Sequence, residues 1–153
     1  AGLCDRAKEH NIGCAIEFLP WTGIKDVTAA AEIVRRAGRA NGGILFDTWH
    51  HLRGSNDDDA LRAVPGAFIH AIQVNSAPAT ANGNPMVESM HERLLPDEGD
   101  IDVANLIGIL DSIGSKAAIG IEVFSDELNK LPPTEAAHRC VEATKHVMAK
   151  ARG

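Results

Sequence analysis

Gly43-Ile44-Leu45-Phe46-Asp47-Thr48-Trp49-His50 is the stretch on which the fold assignment turns. Consecutive apolar residues follow a glycine and stop at a carboxylate. A half-solvated strand alternates apolar with polar residues, whereas a continuous apolar run marks a strand of a parallel α/β sheet, covered on both faces. The same grammar recurs three times. Cys14-Ala15-Ile16-Glu17-Phe18-Leu19 follows Gly13 and is closed by Pro20, Phe68 to Val74 contains Gln73, and Ala117 to Val123 contains Glu122. The first two runs start about 30 residues apart, the length of a strand–helix unit.

Helical spacing fills the intervals. Ala29, Ile33, Val34 and Ala37 share one face, with Gly38 as a C-terminal stop. A short turn of helix is expected from Asp58 to Val64, before Pro65-Gly66. Asp102 is placed to cap a helix whose apolar positions are Leu106, Ile107, Ile109, Leu110 and Ile113. A last amphipathic helix runs from about Thr134 to Lys150. Ser76 to Gly99 is polar and rich in Ala, Asn, Pro and Gly, and reads as a long loop of the kind that carries function. The order β-α-β-α-β-α-β-α predicts one α/β domain over residues 1–153.

The chain has 153 residues, 44% of them hydrophobic, and 15 Lys and Arg against 21 Asp and Glu leave a formal net charge of −6. That balance argues against a nucleic-acid platform, which needs a basic face. No run approaches the ~20 apolar residues of a membrane span. Cys4, Cys14 and Cys140 fit neither a zinc spacing nor a disulfide framework, so reduced thiols and a cytoplasmic location are expected. The chain opens without Met, in a pattern that already reads as helix around Leu3 and Ala7, as a piece of a longer protein would.

In parallel α/β folds the chemistry collects at the carboxyl ends of the strands. Each run carries a hard ligand there: Glu17, Asp47, Gln73 and Glu122. Three carboxylates in one sheet must neutralise or find cations, and none of the four runs contains Lys or Arg. A divalent ion meets that need, and an all-oxygen set suits Mg²⁺ or Mn²⁺, with Co²⁺ as a further candidate. A lone Glu in a strand is otherwise an edge residue or the partner of a distant Arg, and Gln73 is the weakest ligand by chemistry. His50 follows Asp47 by three residues and is expected to face a substrate, with His51 turned to solvent. Trp21 and Trp49 either line the pocket or pack beneath its loops.

These segments resemble the sugar phosphate isomerase/epimerase family of xylose isomerase-like TIM barrels. The resemblance rests on Ala15-Ile16-Glu17-Phe18-Leu19-Pro20-Trp21, Phe46-Asp47-Thr48-Trp49-His50, and Gln73 with Ala77-Pro78. It continues through Arg93-Leu94-Leu95-Pro96-Asp97-Glu98-Gly99-Asp100-Ile101-Asp102 and Gly120-Ile121-Glu122-Val123. It implies one divalent ion held by Glu17, Asp47, Gln73 and Glu122, with His50 and Arg93 on substrate oxygens. Gln73 stands where many epimerases have His, as in the 3-dehydroshikimate dehydratase branch. Ser76 stands where Asp is common, and Asp97 replaces the Gly of the usual P-G-x-G pattern.

The activity implied is isomerisation or epimerisation of a keto-sugar or sugar phosphate. Glu17 and Glu122 would act as catalytic bases on opposite faces of the carbon next to a carbonyl. The alternatives are a dehydratase acting on 3-dehydroshikimate or on a cyclic polyol such as inosose, and a non-catalytic, self-associating half-barrel. An abasic-site endonuclease of the same superfamily would need several zinc ions and a cluster of strand-end histidines that this sequence lacks. A complete barrel has eight strands in about 250 residues. Four strands therefore predict a partial (β/α)8 barrel, its C-terminal half. Such a half would have little turnover by itself and two open sheet edges that favour a homo-oligomer.

Overall fold

The computed structural model describes residues 1–153 and bears out the alternation. Its elements are α1 (Gly2–Lys8), β1 (Cys14–Glu17), α2 (Val27–Ala37), β2 (Gly42–Asp47), α3 (Thr48–Arg53), α4 (Asp58–Arg62), β3 (Ile69–Val74), α5 (Pro85–His91), α6 (Val103–Ser112), β4 (Ala118–Ile121) and α7 (Pro133–Arg152). The four strands form one sheet in the order β1-β2-β3-β4, and every pair is parallel. Sequential parallel pairing with helical crossovers is the plan of a (β/α) barrel.

The period of two in a strand divides the sheet into two faces. Ile44 and Phe46 of β2 and Ile72 and Val74 of β3 point to one side. There they join Val34 of α2, Leu61 of α4, Ile107 and Leu110 of α6, and Val147 of α7 in a single hydrophobic core. The alternate positions carry the polar strand-end groups together with Leu45 and the small Ala15, Ala71, Ala118 and Gly120. Between β2 and β3 the register shifts by one residue beside Ile44 and Leu45. Gly43 is needed at that point, because a Cβ there would lie 2.2 Å from the His70 ring.

Two expectations are corrected. Only β2 is covered almost throughout; Ala15, Ala118 and Gly120, on the two edge strands, are exposed. Their apolar runs reflect one helix-covered face and a second face lined by small residues. The region 76–99 is also not all loop. It contains α5, where Asn84 accepts a hydrogen bond from the Met86 N–H and Pro85 occupies the first turn, a standard N-terminal pairing. Asp102 and Gly38 act as the sequence predicts, and Asp26 adds a cap to α2. Asp26 and Asp102 accept from Ala29 and Asn105 N–H, and Gly38 ends α2 at φ 57°.

Candidate metal and substrate site

The site is assembled at the carboxyl end of the sheet. Asp47 is the last residue of β2 and also the N-cap of α3, a helix too short to be read from periodicity. Its Oδ1 accepts the His50 backbone N–H at 3.0 Å. One fully buried side chain thus ends the strand, starts the helix and sets where His50 stands. Oδ2 accepts from Asn75 Nδ2 at 2.8 Å and from Arg93 Nη1 at 3.0 Å.

His50 is buried, and its Nε2 lies 3.3 Å from Oε1 of the half-buried Glu17. The His50 imidazole, with further help from Arg93, holds the Glu17 carboxyl below its ordinary range. Ligating atoms of Glu17, Asp47 and His50 all lie within 4.8 Å of one another. Glu122 stands just past β4. Its Oε1 accepts from Gln73 Nε2 at 2.9 Å, and its Oε2 lies 3.3 Å from Arg93 Nη1. Burial pushes the Glu122 carboxyl up; Arg93 opposes that shift, and the charges of Asp47 and Glu17 add to it. Two carboxyls of one cluster are therefore displaced in opposite directions.

Of the six residues singled out in the sequence, Glu17, Asp47 and His50 form one compact group. Arg93 links Asp47 to Glu122, and Gln73 touches only Glu122 among them. No strand contains Lys or Arg, but Arg93 supplies a cation from the segment after α5. It is 2% exposed, its Nε donates to Ser89 O and its Nη2 to Ser89 Oγ, and its guanidinium carbon lies over the rings of Trp49 and Phe124. His51 does not face solvent. It is buried, with Nε2 3.1 Å from Asp58 Oδ1. Trp49 is fully buried under the loops, whereas Trp21 is partly exposed beside the His50 ring.

Several supporting residues escaped the sequence reading. Asn75 is fully buried, holds Asp47 and the Glu122 carbonyl through Nδ2, and is clasped in turn by Thr48. Its signal was present: Gln73 and Asn75 are polar residues two apart, hence on one face of β3 and its continuation. Glu88 and Arg53 form a buried ion pair that also takes in the Trp49 indole N–H. Nothing local in the sequence announces that pair.

The donors fit a divalent cation. Three carboxylates face one guanidinium, which leaves two negative charges in a largely buried cluster, and burial makes such an excess costly. Gln73 Oε1 is buried without a hydrogen-bond partner while its Nε2 is committed to Glu122. An orphaned amide oxygen among carboxylates is the donor type that Mg²⁺ and Mn²⁺ take.

A sequential parallel sheet with acidic residues gathered at its carboxyl end defines a barrel-type α/β protein with a candidate cation site at its strand ends. The chain belongs to the xylose isomerase-like TIM barrel family, whose sequence profile matches residues 1–145. It is 29% identical over 131 residues to the 3-dehydroshikimate dehydratase of Pseudomonas aeruginosa, covering 85% of this chain and 20% of that protein. It is likewise 29% identical over 151 residues to the inosose isomerase of Bacillus velezensis, covering 97% of this chain and 52% of the relative. A crystal structure of the IOLI protein with a bound zinc atom superimposes with a TM-score of 0.89 at 27% identity, over 98% of this chain and 54% of that one. The chain thus spans about half the length of the inosose isomerases it matches, and a fifth of the dehydratase.

Proposed function

We propose that residues 1–153 are the C-terminal, metal-binding half of a xylose isomerase-like barrel. In that barrel the site serves a divalent-metal-dependent isomerase or epimerase acting on a keto-sugar, a sugar phosphate or a cyclic polyol. The observation that carries the reading is the gathering of Glu17, Asp47 and Glu122, from three strand ends, around His50 and Arg93. Glu17, Asp47, Gln73 and Glu122 are the assigned ligands. His50, whose Nε2 lies beside Glu17, faces both ligands and substrate. An ion bound there supplies Lewis acidity to a substrate carbonyl.

The chain's own residues divide the proton chemistry. Glu17, at the end of β1, is suited to remove a proton from the carbon next to the carbonyl, and Glu122, just past β4 at the other edge of the sheet, to return one. Arg93 and His50 orient substrate oxygens. In a complete barrel containing this chain, Glu17→Gln and Glu122→Gln should each abolish exchange of that carbon-bound hydrogen with D2O. Exchange retained in either variant overturns the two-base assignment. The chain alone, with one face of its sheet uncovered, should turn over keto-sugars or dehydroshikimate at or near background. Its two free edges, β1 and β4, should associate in solution, which light scattering would detect.

A dehydratase is the second reading, favoured by Gln73 at the third ligand position and by the dehydratase relative. The same proton removal would then be followed by loss of a hydroxyl β to the carbonyl. Formation of a conjugated, ultraviolet-absorbing product separates the two reactions.

A further inference from the structure

Arg93 occupies an unusual place for a substrate-binding residue. Its Nη1 lies 3.0 Å from Asp47 Oδ2 and 3.3 Å from Glu122 Oε2, so it already engages one oxygen on each of two assigned metal ligands. It is also built in. The other edge of the guanidinium is fixed by Ser89 through Nε and Nη2, and its central carbon lies 5.5 Å from the centre of the Trp49 ring and 5.2 Å from that of Phe124. A guanidinium is a rigid planar fork, so one anchored in this way stays in place, and its Nη1 contacts are released by rotation of the Asp47 and Glu122 carboxylates.

We propose that Arg93 is the resident counter-cation of this carboxylate cluster: its Nη1 holds Asp47 and Glu122 together in the metal-free protein and yields those oxygens when a divalent ion binds. The inference rests on the metal reading given above and adds an order of events. The charge count requires that Arg93 stay nearby, since one guanidinium and one divalent ion together balance three carboxylates. What the ion displaces is the Nη1 contact. The freed N–H then points at the site with no protein acceptor, ready for a substrate oxygen. Metal loading therefore precedes and enables substrate capture by Arg93.

The inference is tested by calorimetric titration of the full chain with Mn²⁺, using wild type, Arg93→Met and Ser89→Ala. A competing contact to charged oxygens opposes the ion, so Arg93→Met should bind Mn²⁺ about tenfold more tightly, the equivalent of ~1.4 kcal/mol. Ser89→Ala keeps the charge and loosens only the anchor, so it should bind about threefold more tightly, on the order of 0.6 kcal/mol. The rise in melting temperature on adding Mn²⁺ should be larger for Arg93→Met than for wild type, because its metal-free carboxylates lack a partner. Equal or weaker binding by the variants overturns the inference and leaves the metal site standing, since Arg93 would then preorganise the ligands rather than compete for them. Should Arg93→Met fail to fold, Ser89→Ala decides alone. Absence of Mn²⁺ binding by every chain, wild type included, overturns the metal reading and this inference together.

Discussion

Two consecutive helices, α5 and α6, dock on the same molecule by opposite means. Toward the core α6 turns Val103, Leu106, Ile107 and Leu110, all buried. Inward from α5 point Glu88 and Ser89, while Met86, Val87 and Met90 are left exposed. α6 is held by apolar area removed from water. α5 is held by charge: Glu88 accepts from Arg53 Nε at 2.8 Å, from the Trp49 indole N–H at 3.1 Å and from the Asn82 backbone N–H at 3.1 Å. Arg53 also donates to the carbonyls of Pro78 and Ala79, so one buried ion pair fastens the whole approach to α5. The difference follows from what each helix serves. α6 supports the back of the sheet, where no polar group is needed. α5 carries Ser89, whose backbone and hydroxyl oxygens place Arg93.

The comparison can be broken most directly at Glu88. Glu88→Ala leaves the Arg53 guanidinium buried without its partner, a loss of about 3–5 kcal/mol when charges are truly sequestered. Because α5 is a short outlying helix, the loss should fall on its docking rather than on the sheet. Amide exchange should accelerate across residues 85–91 while β2 and β3 stay protected, and Mn²⁺ affinity should change as Arg93 loses its mount. Uniform acceleration through β2 and β3 would show that α5 belongs to the cooperative core.

The counterpart in α6 is Leu110→Ala. A fully buried leucine cut back to alanine costs about 2–5 kcal/mol, depending on how far the cavity collapses. Here the loss should be global, seen as an equal fall in the urea midpoint by every probe. A local effect confined to α6 would mean that this helix, too, is peripheral.

The same contrast explains what the sequence could tell. α6 and α2 were legible because their inward residues are apolar, at helical spacing, and run up to a glycine stop. α5 was read as loop because its apolar residues face water and its inward ones are polar, which inverts the pattern. α3 was missed because Asp47 ends a strand and caps a helix with one side chain. In the site, Glu17, Asp47, Gln73 and Glu122 stood out as polar residues set into apolar runs. Thr48 and the pair of Glu88 with Arg53 did not, since their meaning lies in partners 27 to 35 positions away. Even Arg93, singled out through family resemblance, was assigned to substrate oxygens; its contact with two carboxylates emerges only in three dimensions.

A smaller effect sharpens the picture at the end of α6, where charge joins apolar packing. Asp111 accepts from Arg152 Nε at 2.9 Å and Nη2 at 3.1 Å, tying α6 to α7, and this fork holds the Asp111 carboxyl below its ordinary range. A carboxylate whose folded pKa is depressed adds stability above its unfolded value, about pH 4, and loses it as the pH falls through the folded value. Both side chains are more than two-fifths exposed, so solvent screening keeps the contribution within ~1 kcal/mol. Arg152→Ala should flatten the acid side of the stability profile below about pH 4 and leave it nearly unchanged at neutral pH beyond that small loss. An unaltered acid limb would remove this pair from the account.

The least disruptive test concerns the outer face of α5. Met86 is 55% exposed and Met90 49%, one turn apart. If α5 is held from within by Glu88, these residues add little, and Met86→Gln with Met90→Gln should shift stability by no more than ~0.5 kcal/mol. Glutamine keeps the length and helix propensity of methionine, so the exchange isolates the apolar surface. A loss of ~2 kcal/mol, comparable to a core substitution, would mean that the stripe is covered in solution. The distinction between a helix fastened by charge and one fastened by apolar area would then no longer separate α5 from α6.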